Sequence, residues 1–82
     1  MSYSGKQTQP ITHTTFFELV NANVIRRVEV LLDDEKWWLL IHVGNVERVL
    51  SAKRGHVRRF STLDSVRKYL QSVGIQRFEV EI

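Results

Sequence analysis

The sequence predicts an α+β fold: an antiparallel sheet of four to five strands with two helices, in the order α-β-β-β-(β)-α-β. Three observations predict it. Residues 24–52 fall into three runs of alternating apolar and polar side chains, separated by short polar turns. Residues 61–74 repeat apolar positions at spacings of three and four, between a helix-capping signature and a glycine. The final eight residues, Ile75 to Ile82, alternate again. With 82 residues, 43% hydrophobic and 26% charged, the chain has the composition of one globular domain. That domain is placed at 11–82, behind a disordered N-terminal arm of residues 1–10 made of Ser, Gly, Gln and one Pro.

The first helix is read from Thr15-x-x-Glu18, a capping box, followed by Phe16, Phe17, Leu19 and Val20. Asn21 and Asn23 can end it in a left-handed conformation. It spans two to three turns and needs a sheet to pack against. In the first strand Val28, Val30 and Leu32 share one face, and Arg27, Glu29 and Leu31 the other. Asp33-Asp34-Glu35-Lys36 is a polar turn. In the second strand Trp37, Leu39, Ile41 and Val43 oppose Trp38, Leu40 and His42. Gly44-Asn45 is a two-residue hairpin loop. Val46 to Ala52 forms a third strand, and Val57 to Phe60 extends as a short fourth. Ser61-x-x-Asp64 caps the second helix, in which Leu63, Val66, Leu70 and Val73 recur at spacings of three and four and which stops at Gly74. The closing strand turns Phe78, Val80 and Ile82 inward and Arg77, Glu79 and Glu81 to water.

Composition narrows the function classes. There are no cysteines, which excludes disulfides and cysteine-based zinc or redox chemistry. The three histidines, at 13, 42 and 56, have no metal-ligand spacing, and His42 reads as a partly buried structural residue. No phosphate-binding loop, dinucleotide fingerprint or nucleophile elbow is present, so no cofactor and no catalytic residues are assigned and a non-enzyme is expected. No apolar run approaches the roughly 20 residues of a spanning helix, and the start of the chain lacks the apolar core of a signal peptide. The expected location is the cytoplasm, with no membrane partner.

The net charge is +3 and unevenly spread. Residues 53–68 hold six of the twelve Lys and Arg residues against a single acid, Asp64. The six are Lys53, Arg54, Arg58, Arg59, Arg67 and Lys68. Such a segment attracts polyanions, and Arg binds phosphate in a bidentate manner. These six are therefore the candidate nucleic-acid contacts, with Arg58 and Arg59 pointing to opposite faces if the backbone is extended. The competing reading is a solvated basic surface. Trp38 and Leu40 make the second face of the middle strand apolar, which marks them as a candidate interface for a homodimer or another protein.

At VRRFSTLDSVRKYLQSVGIQRFEVEI the chain resembles small ParC-type proteins of plasmids and integrative elements, a partition-associated group unrelated to the topoisomerase subunit of that name. The resemblance is carried by Arg54-Gly55, by Arg59-Phe60-Ser61-Thr62-Leu63-Asp64 and by Gly74-Ile75-Gln76-Arg77-Phe78-Glu79-Val80. It covers about the C-terminal third. It implies an accessory role near DNA maintenance and supplies no catalytic residues.

Overall fold

The computed structural model describes residues 9–53 and 55–81. In chain order the elements are β1 (Gln9–Ile11), α1 (His13–Asn21), β2 (Ile25–Asp33), β3 (Lys36–Val43), β4 (Val46–Leu50), α2 (Leu63–Val73) and β5 (Glu79–Glu81). Gln9 and Pro10, expected in the arm, instead pair with Arg48 and Val49 of β4. Pro10 can sit there because β1 is an edge strand, where a missing N–H is tolerated. Residues 1–8 lie outside the described residues.

Both helices start differently from the expectation. Thr12, not Thr15, caps α1: the Thr12 Oγ1 accepts from the Thr15 N–H at 3.3 Å. This start places Phe16 fully inside. Thr62, not Ser61, caps α2, and its Oγ1 accepts from the Ser65 N–H at 3.1 Å. Asp64 stands in the first turn of α2, where a carboxylate complements the helix dipole. Gly74 stops the helix at φ 98°, and Asn23 turns the chain out of α1 at φ 60°.

The sheet order is β1-β4-β3-β2-β5. β2, β3 and β4 form the expected antiparallel meander. The β2–β3 hairpin closes Asp33 onto Lys36 through Asp34 and Glu35, both at positive φ (55° and 63°), as a type I′ turn requires. Gly44, at φ 59°, makes the β3–β4 turn.

The two outer strands correct the expectation of an antiparallel sheet. β1 runs parallel to β4, and β5 runs parallel to β2, so the sheet is mixed and β3 alone runs opposite to the rest. The cause is connectivity. A helix between two strands carries the chain back along the sheet and delivers the next strand in the same direction as the last. α2 does this between β4 and β5. The expected fourth strand at 57–60 is also corrected. That segment makes two isolated bridges, Ser51 with Val57 and Trp37 with Phe60, the latter through backbone bonds of 2.9 and 2.8 Å.

Side-chain alternation sorts the sheet as expected. Val28, Val30, Leu39, Ile41 and Leu50 join Phe16, Phe60, Val66, Leu70 and Val73 in one buried core beneath both helices. On the opposite face Trp38, Leu40 and Val49 form a smaller cluster with Leu31 at its margin. Val80, expected inside, is 40% exposed because β5 is a short outer strand. No helix among the described residues is long and apolar enough to cross a membrane.

Candidate nucleic-acid interface

The basic segment is held by the connection from β4 to α2. Ala52 donates its N–H to the His56 carbonyl at 2.7 Å, and Arg58 donates its N–H to the Leu50 carbonyl at 3.0 Å. Phe60 then enters the core and meets Tyr69 of α2, ring centroids 5.5 Å apart. These anchors fix where Arg58 and Arg59 point.

The two arginines diverge, as alternation requires. The Arg58 guanidinium lies 4.6 Å from the Tyr69 ring centroid and 4.9 Å from that of Phe60, so it rests against the aromatic pair beside α2. Arg59 turns the other way, to 3.6 Å from Asp33 at the β2–β3 hairpin. Arg67 binds Asp64 at 2.7 Å, and Lys68 reaches the same carboxylate at 3.4 Å. Hydrogen bonds from Arg67 and Lys68 hold the Asp64 carboxyl below its ordinary pKa. Lys53 is exposed in the turn and has no carboxylate partner among the described residues. Arg54 lies outside the described residues. The structure thus gathers Arg58, Arg67 and Lys68 about α2, sends Arg59 to the hairpin tip, and pairs three of the described cations with acids.

Trp38 and Leu40 are on the sheet face that carries no helix, but only 9% and 5% exposed. As an interface they offer little area in this conformation.

Several groups escaped the sequence reading. Lys36 Nζ donates to Ser61 Oγ at 3.3 Å, adding a cation to the start of α2. His13 Nδ1 and Tyr69 Oη are hydrogen-bonded at 2.8 Å, linking α1 to α2. Burial raises the Tyr69 pKa, with the Arg58 charge opposing it. On the helix-free face Glu29 is buried, 2.6 Å from His42 Nε2 and 3.7 Å from Arg27. Glu29, Glu79 and Glu81 bring one carboxylate oxygen each within 4.8 Å of one another. Burial pushes the Glu29 carboxyl up, but hydrogen bonds with Glu81 and His42 and the Arg27 charge more than reverse this, and its pKa is lowered. The hydrogen bond with Glu29 and the Glu29 charge raise the pKa of Glu81. Finally, Arg26, Arg27 and Arg77 meet at a cleft between the start of β2 and the segment leading into β5. Arg26-Arg27 and Arg77 are visible in the sequence; their proximity depends on β5 lying beside β2.

A family model described as ParC-like matches residues 11–82. The chain belongs to the ParC-like family. The match covers all the elements from the end of β1 onward, so the resemblance first visible in the C-terminal third extends through the meander. No curated protein matches the chain. Family membership agrees with a role related to plasmid partition.

Proposed function

We propose that this ParC-like protein is a non-enzymatic accessory factor of plasmid or mobile-element maintenance that touches nucleic-acid phosphates through Lys53, Arg58, Arg67 and Lys68. The observation that carries the reading is the charge imbalance around α2. One carboxylate, Asp64, serves both Arg67 and Lys68, while Arg58 rests on aromatic rings and Lys53 has no described acid beside it. The ion pairs present are solvent-exposed. Exposed pairs of this kind are screened by water and salt and contribute little, so exchanging a carboxylate for a phosphate costs little. Arg58 keeps the edges of its guanidinium for hydrogen bonding while its plane is stacked.

The test is titration of a short DNA duplex by fluorescence anisotropy at 50 and 200 mM salt. Three to four phosphate contacts predict a loss of affinity of about 40- to 150-fold across that range. Lys53→Glu with Arg58→Glu should abolish binding at the lower salt. A salt-independent signal, or none at 50 mM, refutes the reading.

A second reading starts from the apolar cluster of Trp38, Leu40 and Val49 on a face without a helix, although its small exposure leaves little area for a partner. It makes the protein a homodimer or a subunit docking on a partition partner. Sedimentation at two concentrations separates the readings: a concentration-dependent mass supports association, and a monomer at both counts against a homodimer.

A further inference from the structure

β5 pairs with β2 only over Glu29–Leu31. Upstream, Ile25–Val28 have β3 on one side and no strand neighbour on the other among the described residues. The chain from Gly74 to Arg77 runs past this edge without pairing, and a cleft of about 440 Å³ opens between the two.

The cleft has a distinct chemistry. Ile25 and Ile75 are half-buried and packed on the main core, giving it an apolar floor. Arg26, Arg27 and Arg77 line it. Arg77 has no ion-pair partner among the described residues, and Arg26 donates only to the neutral Gly44 carbonyl at 3.0 Å. Arg27 stands at 3.7 and 3.9 Å from Glu29 and Glu79, which is loose contact for an exposed guanidinium. The backbone edge of β2 supplies the hydrogen-bonding row that an added strand needs.

We propose that this cleft is the docking site for an extended acidic peptide segment of a partner protein. Such a segment lies along Ile25–Val28, sets an apolar side chain over Ile25 and Ile75, and offers Asp or Glu carboxylates to Arg26, Arg27 and Arg77. A second copy of this chain does not fit, because pairing β2 edge to edge sets these arginines against one another. A nucleic-acid duplex does not match an apolar floor beside an unpaired backbone edge. The site is separate from the basic surface around α2 and does not depend on it.

The experiment titrates an eight-residue peptide alternating Asp and Val, blocked at both ends, into isotope-labelled full-length protein, followed by amide NMR to millimolar peptide. The expected result is saturable shifts confined to Ile25–Val28 and Ile75–Arg77. The same peptide with Lys for Asp should cause none. Arg77→Glu combined with Arg26→Glu should weaken binding at least tenfold, while the unaltered positions of the remaining amides show that the fold persists. Absence of these shifts at saturating peptide, or equal shifts with the lysine peptide, overturns the proposal. So does a DNA duplex moving these same amides more strongly than the peptide. A duplex that moves only Lys53, Arg58 and α2 bears on the nucleic-acid reading and leaves the cleft to the peptide result.

Discussion

Thr62 and Ser61 are adjacent, and both are residue types that cap helices, so the sequence alone does not decide between them. The structure decides through hydrogen bonding. Thr62 Oγ1 takes the Ser65 N–H, while Ser61 Oγ is engaged with Lys36. Thr62→Ala should cost about 1 kcal/mol of unfolding free energy. Ser61→Ala should stay within about 0.5 kcal/mol, as exposed substitutions usually do. Urea denaturation of the two variants checks this, and a larger loss in Ser61→Ala than in Thr62→Ala would return the cap to Ser61. The same ambiguity operated at Thr12 and Thr15. In each case the residue type was legible and the exact position was not, because helix phase is set by which side chain must enter the core. For α1 that side chain is Phe16, which is wholly buried.

At the scale of elements, alternation identified β2, β3 and β4 and assigned their faces correctly, since a period of two admits only one inward set. Strand direction was less legible. Nothing in Phe78-Glu79-Val80-Glu81 distinguishes a parallel from an antiparallel neighbour; the helix before it does. The consequence is chemical. Reading Glu79 and Glu81 as water-facing missed that parallel pairing sets Glu29 beside Glu79 and Leu31 beside Glu81. The groups facing Glu81 there are Glu29 and Arg27 from β2 and Glu79 from β5, with His42 of β3 bonded to Glu29 and Glu47 of β4 at 3.8 Å from His42. The raised pKa of Glu81 gives the sign. A carboxyl raised in the folded protein adds stability below its ordinary value of 4.5 and loses it as pH climbs through the raised one. Glu29, which is lowered, behaves oppositely and gives up its contribution only below its ordinary value. Attachment of β5 should therefore loosen as pH rises above 4.5. Glu81→Gln, which supplies the bridging hydrogen without a charge, should remove that dependence. The backbone carbon shifts of Val80, followed by NMR from pH 4 to 7.5, report it. A flat profile in the unaltered protein would show that the carboxylates do not share a proton.

For the whole molecule, stability is the governing quantity. A chain of 82 residues has a total of about 4–12 kcal/mol at the usual 0.05–0.15 kcal/mol per residue. One core beneath two helices supplies most of the apolar burial, and the opposite face adds only a small cluster. That asymmetry makes the main core the place where a single change is felt most. Leu50 sits at its centre of connectivity. Its side chain is fully buried, its strand lies between β1 and β3, and its carbonyl takes the Arg58 N–H that anchors the basic connection. Leu50→Ala should cost about 2–5 kcal/mol, the range for emptying a buried leucine site. A loss of that size consumes a large share of the total. Val80→Ala, at an exposed site on the outer strand β5, should cost below about 1 kcal/mol. Urea midpoints with unchanged slopes would place both effects in the folded state. The hydrogen bond between the Arg58 N–H and the Leu50 carbonyl is backbone to backbone and persists in Leu50→Ala, so the proposed DNA contact should keep its affinity wherever that variant remains folded. Lost DNA affinity in a folded Leu50→Ala variant would show that side-chain packing at Leu50, and not the backbone bond, holds the basic connection.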